Sequence, residues 1–170
     1  GQPVRAGSNT ITIRNRNVFA ITTFDIMDRY IVDALVRQDA SSLFGADQRT
    51  AIYNRVSAAY RLSEDLALPG VDEFKLRASY GTAGLRPGFD AQYEIFTLVG
   101  GFPRPLTVGN RALKPAYSRE TEIGFNLSFL QNYTFEYSYS DKTTSDQILL
   151  APVSRASGYT NQWKNAGTLS

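Results

Sequence analysis

Along much of the chain, apolar and polar residues alternate with a period of two, which is the period of β-strands rather than of helices. The alternation is cleanest in three segments, Phe74–Tyr80, Glu122–Phe129 and Tyr133–Tyr139. In each segment one face carries aromatic and aliphatic side chains, and the other carries mainly charged, small or hydroxyl-bearing ones. These three segments are predicted to be strands with one apolar and one polar face.

Weaker strand patterns extend this prediction. Tyr30–Arg37 and Arg55–Leu62 alternate in the same way but less regularly. Further strand is indicated by the composition of three stretches, Thr10–Ile26, Asp141–Pro152 and Tyr159–Ser170. Helix has little support beyond a possible turn near Ala46–Tyr53. About six or seven strands are therefore predicted.

The connections between the predicted strands alternate between short and long. In chain order they are Met27–Arg29, Ala40–Thr50, a modest link containing Pro69 and Gly70, Gly81–Ser118, Leu130–Asn132 and a polar stretch from Asp141. Tight turns on one side and long loops on the other are typical of transmembrane β-barrels. A loop as long as Gly81–Ser118 is unusual in a compact domain and is generally functional or disordered.

Strands with one polar and one apolar face fit two folds, which differ in what the apolar face contacts. A soluble antiparallel sandwich would pack its apolar face inward, whereas a membrane barrel turns that face to lipid and keeps a wet interior. Isolated charges among small residues suit a wet interior, and the strands approach the ~9–11 residues of a spanning strand. Aromatic residues near strand ends fit interfacial girdles; they are Tyr30, Tyr60, Tyr80, Phe129, Tyr133 and Tyr139. The sequence therefore predicts an all-β, antiparallel transmembrane β-barrel segment with long extracellular loops and short periplasmic turns.

Composition limits the chemistry that the chain can perform. Among its 170 residues are 18 basic and 16 acidic side chains, for a net charge of +2, and neither cysteine nor histidine occurs. Disulfides, thiolate metal sites and histidine-dependent nucleophilic catalysis are therefore excluded in their usual forms. A balanced charge argues against nucleic-acid binding. We predict no catalytic residue, no metal and no cofactor, and hence no enzyme.

Few charged residues are candidates for a site. Glu120 and Glu122 share a face, and such a pair more often marks a solvated lumen than a catalytic centre. Arg14 and Arg16 form a small basic pair that is expected in the lumen or in a loop. Four aspartates are expected in loops that could bind calcium, although no twelve-residue calcium loop is present; they are Asp39, Asp47, Asp141 and Asp146.

Aromatic residues in the predicted loops are candidates for ligand stacking. Phe102, Tyr117, Tyr159 and Trp163 lie in stretches expected on the extracellular side. Such side chains can stack on a sugar or a peptide, but packing of one loop on another is the favoured interpretation. No substrate-binding residue is assigned, and the ligand is unknown.

Several strings of the chain resemble SusC/RagA-type TonB-dependent outer-membrane transporters. Ala34–Gly45 resembles their S-x-R-x-D-G-S-S-x-F-G segment, Val56–Glu64 their S-x-x-W-x-x-S-E strand, and Phe74–Gly84 their L-K-L-R-x-S-Y-G-x-x-G strand. Leu113–Pro115 with Glu120–Gly124, and then Tyr137–Leu150, are similar to later strands of the family. The resemblance spans roughly residues 18–168 in the family's order. Ala40, Tyr60 and Ala116–Tyr117 depart from the pattern and leave the substrate subgroup open.

The resemblance implies a bacterial outer-membrane protein that imports oligosaccharides, peptides or similar nutrients. Such transporters have a barrel of ~22 strands around an N-terminal plug. They couple to the inner-membrane protein TonB, usually lie beneath a surface lipoprotein lid, and are surrounded by outer-membrane lipid. Residues 1–170 are accordingly predicted to be part of the barrel, with the plug and the remaining strands outside this chain.

Three alternatives stay open at this point. The first is a complete eight-stranded barrel, although Gly81–Ser118 occupies residues that an eighth strand would need. The second is a structural or assembly fragment that pairs its strand edges with other chains. The third is a soluble carbohydrate-binding β-sandwich.

Overall fold

A computed structural model describes residues 10–169, and this part of the chain is almost entirely β-structure. Its strands are β1 (Asn15–Ile26), β2 (Tyr30–Ser41), β3 (Thr50–Arg61), β4 (Val71–Leu85), β5 (Ile95–Val99), β6 (Phe102–Val108), β7 (Ala116–Phe129), β8 (Tyr133–Ser145), β9 (Ile148–Pro152), β10 (Asn161–Asn165) and β11 (Thr168–Leu169). Short 3₁₀ helices occupy Leu62–Glu64, Phe89–Gln92 and Arg155–Ser157. In the described part of the chain, no helix is long and apolar enough to cross a membrane.

Seven strands form one antiparallel sheet in the order β1-β2-β3-β4-β7-β8-β11, which we call the wall. Its register places apolar residues of successive strands side by side. Val56 pairs with Tyr80, Ala78 pairs with Ile123, and Ile123 pairs with Tyr139. The wall thus has one mainly apolar face, here called outward, and one mainly polar face, here called inward. The predicted all-β antiparallel fold is confirmed.

The connections alternate between the two ends of the wall as predicted. Residues 27–29, 62–70 and 130–132 connect strands at one end, the turn end. Residues 42–49, 86–115 and 146–167 connect them at the other, the loop end. Tyr30 stacks on Tyr60 with ring centres 4.9 Å apart, and Phe129 stacks on Tyr133 at 5.5 Å, both beside turn-end connections. Tyr80 and Tyr139 lie further along their strands.

The expected loop Gly81–Ser118 is wrong, because strand structure occupies much of it. β4 continues to Leu85, β7 begins at Ala116, and the hairpin β5–β6 lies between them. With β10 and β9 this hairpin forms a second sheet in the order β5-β6-β10-β9, in which β6 and β10 are parallel. The possible turn near Ala46–Tyr53 is present only at Ala46 and Asp47, where Gln48 N–H donates to the Gly45 carbonyl at 2.8 Å. From Thr50 onward the segment is strand, because β3 begins there.

Two prolines explain why the sequence does not predict strand β6. Pro103 and Pro105 argue against a strand because they cannot donate hydrogen bonds to a ladder. In the structure both pair with β5, while β10 reaches β6 only at Thr107 and Val108, so these prolines lie on an edge. The hairpin tip has its own signal, because Gly100 and Gly101 adopt positive φ angles of 58° and 84°, which is the Gly-Gly signature of a tight turn.

Burial is concentrated at the loop end and not on the apolar face of the wall. Phe44 and Leu113 are 0% exposed, whereas Phe135 and Tyr139 on the outward face are more than half exposed. The second sheet joins the wall through the loop-end connections and leaves these outward residues uncovered in the described structure. A soluble sandwich would bury them between two sheets, so the fold does not support that alternative.

Candidate functional site

The inward face of the wall carries a network of charged side chains. The centre of this network is Arg77 on β4, which donates hydrogen bonds to the Glu136 carboxylate and, at 3.3 Å, to Ser138 Oγ. Its Nη1 atom lies 4.0 Å from Glu122 Oε1, and the Ser138 hydroxyl donates to that same carboxylate. Strand pairing places all four residues on one face. One cation is thus shared by two carboxylates and a hydroxyl on a solvated surface.

Gly124 makes room for this network. A Cβ atom at this position would lie 2.5 Å from the Tyr137 carbonyl oxygen, 3.2 Å from Arg77 Nε and 3.2 Å from Ser138 Oγ. Any side chain here would therefore displace the guanidinium group from its partners. From sequence, Gly124 looks like an ordinary tolerated glycine, because only the register across β4, β7 and β8 reveals what it faces.

Glu120 and Glu122 share the inward face as predicted, and each faces a cation on a neighbouring strand. Lys142 Nζ lies 3.6 Å from Glu120 Oε2, and Arg77 approaches Glu122. Further along the same face, Asp33 accepts hydrogen bonds from Thr23 at 2.6 Å and from Ser57 at 3.3 Å. The two glutamates thus lie within a row of compensated charges, as on the lining of a wet lumen.

At the loop end, a buried carboxylate connects β2 to the connection 86–115. Asp39 is 3% exposed, its Oδ1 lies 2.9 Å from Arg37 Nε, and its Oδ2 lies 3.9 Å from Arg86 Nη2. The Arg37 guanidinium also lies 5.4 Å from the ring centre of Tyr53, in cation–π geometry. The buried Asp39 carboxylate thus lies between Arg37 on β2 and Arg86 at the start of the connection 86–115.

Close backbone contacts join the same two connections. Gly45 N–H donates to the Leu113 carbonyl at 2.9 Å, and Asp47 N–H donates to the Arg111 carbonyl at 3.1 Å. The Gln92 side chain donates to the Ser42 carbonyl at 2.8 Å. A Cβ atom on Gly45 would come within 2.2 Å of the Arg111 carbonyl oxygen. The connection 42–49 and the connection 86–115 therefore pack as one unit, which encloses Phe44 and Leu113.

The four-stranded sheet is attached to this unit through asparagine side chains. Asn110 donates to the Trp163 carbonyl at 2.8 Å. Asn165 donates to the carbonyls of Lys114 and Asp146 at 2.9 Å each, and it accepts from Lys114 N–H at 2.9 Å. Each asparagine satisfies backbone groups that no ladder could pair. Together the connections 42–49, 86–115 and 146–167 form a cap over the loop end of the wall.

The four aspartates expected in loops divide into two groups. Asp39 and Asp141 lie within β2 and β8, so their assignment to loops is wrong. Asp47 and Asp146 do lie in loop-end connections, and Asp47 Oδ1 is 3.8 Å from Arg111 Nη2. Among residues 10–169, no group of three or more acidic side chains is arranged to hold a metal ion.

Three of the four candidate loop aromatics belong to the cap. Phe102 begins β6 at the hairpin tip and is 73% exposed. Tyr159 packs on Phe96 with ring centres 6.5 Å apart, and Trp163 lies in β10. Burial and the neighbouring Glu94 carboxylate raise the pKa of Tyr159 above its usual value. Tyr117 is not a loop residue; it lies on β7 and stacks with Tyr53 at 6.4 Å.

The position of Arg16 differs from the expected one. It pairs with Ala40 and shares a face with Val18 and Phe24, so it lies on the outward face and not in the lumen or a loop. Arg14 precedes β1, and its carbonyl accepts a hydrogen bond from Ser42 N–H at 2.9 Å, which continues the ladder. Both arginines are exposed.

Comparison with known proteins gives concordant results at the level of sequence. The family described as "TonB dependent receptor-like, beta-barrel" matches residues 2–169. Two TonB-dependent receptors of Formosa agariphila are 29% identical over 166 residues and 25% identical over 179 residues, covering 89% and 96% of this chain. The chain spans 17% of the length of each of these relatives.

Solved structures show the same fold. The RagAB peptide importer in its open-open state superposes with a TM-score of 0.83 at 22% identity, covering 92% of this chain and 18% of that one. The siderophore receptor PirA from Pseudomonas aeruginosa superposes with a TM-score of 0.65 at 16% identity, covering 92% of this chain and 29% of the receptor.

Proposed function

Because the chain belongs to the TonB dependent receptor-like β-barrel family, we propose that it forms part of the wall of an outer-membrane transporter that imports oligosaccharides, peptides or similar nutrients. The observation that carries this proposal is the opposition of the two faces of the wall. Outward positions are mostly apolar and exposed, while inward positions hold the network around Arg77. Such a sheet is suited to lipid on one side and water on the other.

The outward face has the composition that a bilayer requires. Aromatic and aliphatic side chains project from every long strand and are exposed, among them Val18, Phe24, Val36, Val56, Ile123, Phe135, Tyr137 and Tyr139. Exposed apolar surface of this extent is unusual for a protein in water and marks contact with membrane or with other proteins. Within the wall, the backbone polar groups pair between strands, as hydrocarbon requires.

The proposed substrate class and partners of the transporter rest on its similarity to known receptors and not on a defined pocket in this chain. The solved structures include a peptide importer and a siderophore receptor, and peptides or oligosaccharides are the substrates that the family resemblance suggests. By the same resemblance, TonB would supply energy and a surface lipoprotein would cover the loop end. The exposed Phe102 and the packed cap would then face the ligand or this lipoprotein.

We further propose that residues 1–170 are one section of a larger barrel, and that the plug and the remaining strands belong to other parts of the parent protein. The chain spans about 17% of its relatives, and its wall is open in the described structure, because β1 and β11 lie at opposite edges. A fragment that pairs these edges with other chains is the alternative. Residues 15–26 of β1 would provide such an edge.

Cysteine labelling tests the orientation of the wall, because the chain contains no native cysteine. In the full-length protein, kept in native outer membranes and freed of other cysteines, Tyr139→Cys and Ser140→Cys form a matched pair of neighbours. Tyr139 faces outward beside Ile123, and Ser140 faces inward beside Glu122. We expect a membrane-impermeant maleimide to label only position 140 and a lipid-dissolved probe to label only position 139. Equal labelling of both positions by the impermeant reagent would contradict the proposal.

Transport itself is tested by uptake in cells. A strain that lacks the full-length protein, and the same strain complemented with it, are supplied with mixed peptides or mixed oligosaccharides. We expect complementation to restore uptake of one class, and depletion of TonB to abolish it. Uptake that is unchanged in all strains would contradict the transport function while leaving the barrel fold intact.

A further inference from the structure

Charged side chains are rare on the outward face of the wall, and they occur only toward its loop end. Outward positions of β1, β2, β3, β7 and β8, and of β4 from Phe74 to Gly84, carry three charged residues, Arg16, Arg119 and Asp141. Arg14 continues the outward series of β1 by one step. Between these residues and the turn end the outward face carries no charged residue and is mainly apolar, interrupted by Thr22, Gln38 and Asn54. We call this uncharged region the apolar belt. The arginines therefore lie where the apolar belt ends.

The outward arginines have no carboxylate partner in the described part of the chain, whereas three of the four inward arginines of the wall do, and Arg55 is the exception. Arg37, Arg61 and Arg77 each have a carboxylate within 4.0 Å. Arg14, Arg16 and Arg119 are exposed and form no ion pair among the residues that the structure describes. These three guanidinium groups are therefore not engaged by a carboxylate of the described chain and can bind an anion from outside it.

The side chains around Arg119 can contribute to an anion site. Arg119 pairs with Thr82 on β4 and with Thr143 on β8, so two hydroxyls flank it on the outward face. The Thr82 hydroxyl is engaged by Asn54, because it accepts from Asn54 N–H at 2.9 Å and donates to the Asn54 side-chain oxygen at 3.2 Å. Thr143 is therefore the hydroxyl that can donate to an anion beside Arg119. Asp141, one outward position nearer the belt on β8, is the acid on this face and lies opposite Thr121. Arg14 and Arg16 have no acid at the corresponding outward positions of β2, which are Ser42 and Ala40.

We infer that Arg14, Arg16 and Arg119 bind the phosphate groups of lipids in the membrane leaflet at the loop end. This inference rests on the proposed membrane orientation of the wall. Phosphates of lipid headgroups lie just beyond the hydrocarbon, level with the end of an apolar belt. A guanidinium group forms charge-assisted, bidentate hydrogen bonds with phosphate. The arginines would thereby fix the depth of the wall in the bilayer and hold a shell of anionic lipid around the loop end.

Lipid titration of the purified full-length protein tests the inference. Monophosphoryl lipid A is added to the protein in detergent, and native mass spectrometry counts the bound lipid; the same lipid without its phosphate is titrated in parallel. We expect Arg16→Gln and Arg119→Gln each to weaken binding of the phosphorylated lipid about fivefold. Neither variant should change binding of the phosphate-free lipid, and both should keep the heat-dependent gel shift of a folded barrel.

Arg55→Gln is the matched control. Arg55 is also exposed and pairs with Gly81 only one register position from the Thr82–Arg119 pair, but it projects inward. We expect this variant to bind the lipid as the parent protein does. Equal weakening by Arg55→Gln, or unchanged binding in the two outward variants, would overturn the inference. Displacement of the lipid by millimolar inorganic phosphate would show a site for free anions only, and would overturn it too. The cysteine labelling at positions 139 and 140 reports wall orientation separately, so the two proposals can fail independently.

Discussion

At the scale of single residues, two aspartates in the cap region differ chiefly in burial. Asp39 is enclosed by Arg37 and Arg86, whereas Asp47 is 61% exposed in its side chain and lies 3.8 Å from Arg111. Removing the Asp39 charge takes away a buried anion that both arginines share, while the arginine side chains are 41% and 35% exposed, so water solvates them in part and limits the cost. An exposed pair contributes little because water and salt screen it.

We therefore expect Asp39→Asn to lower the free energy of unfolding of the cap by about 1–3 kcal/mol, and Asp47→Asn to lower it by less than about 1 kcal/mol. Hydrogen exchange of the backbone amides in residues 86–115, measured in the folded full-length protein, reports the opening of this connection. Equal protection of these amides in the two variants would contradict the role assigned to Asp39.

Two glycines of the inward face provide a second comparison. A Cβ at Gly124 would meet the Tyr137 carbonyl oxygen at 2.5 Å, but a Cβ at Gly81 would meet Arg55 Cγ at 3.7 Å, which is ordinary contact. Gly124→Ala is expected to cost about 1–3 kcal/mol through forced displacement of β8 and Arg77, and Gly81→Ala less than about 0.5 kcal/mol. Urea unfolding of the full-length protein in detergent measures both values. A larger cost at Gly81 would refute this reading of the inward face.

At the scale of elements, sequence periodicity is sufficient to predict a strand and its register where one face of the strand contacts lipid and the other contacts water. The Glu122–Phe129 segment of β7 shows its register because each outward residue in it is apolar and each inward one is polar or small. Toward the loop end both faces become polar, as at Lys142 and Thr143, so the pattern fades although β8 continues to Ser145. The sequence therefore underestimates strand length at that end.

The cap could not be predicted from sequence for a different reason. Its contacts join residues far apart in the chain, such as Gly45 with Leu113 and Asn110 with Trp163. Asp39 illustrates the same limit, because nothing local distinguishes a buried partner of Arg86 from a loop aspartate. The Gly100–Gly101 pair was the one local signal of the β5–β6 hairpin. The neighbouring prolines argued against a strand, so the hairpin was not predicted.

The outward assignment of β7 makes a further prediction at this scale. Ile123 projects outward from the middle of the sheet, and Ser140, on the adjacent strand, projects inward beside Glu122. We expect Ile123→Arg to destabilise the folded barrel by about 2–4 kcal/mol, because hydrocarbon does not solvate a guanidinium group. Ser140→Arg should cost less than about 1 kcal/mol, since water and the Glu122 carboxylate are available there. Folding equilibria in lipid vesicles measure both changes. If Ser140→Arg lowered the stability more than Ile123→Arg, the assignment of the two faces would be reversed.

At the scale of the whole molecule, the open edges of the wall determine how the chain behaves. β1 presents twelve residues of exposed strand at one edge, and β11 covers β8 at only Thr168 and Leu169 at the other. In hydrocarbon, unpaired backbone N–H and C=O groups cost several kcal/mol each. A sheet of this kind is stable in a bilayer only when other strands complete it.

Residues 1–170 expressed alone are therefore expected not to form a closed barrel. When they are refolded in detergent, unheated samples should migrate on gels as heated ones do, because the heat-dependent shift requires a closed sheet that resists the detergent. The full-length protein, refolded in parallel, should show the shift and so confirm the conditions. If the isolated chain also shifts and remains monomeric, β1 must pair with β8 or β11, and the complete small barrel would replace the larger one. If it shifts only as an oligomer, its edges pair between copies, as the assembly alternative requires.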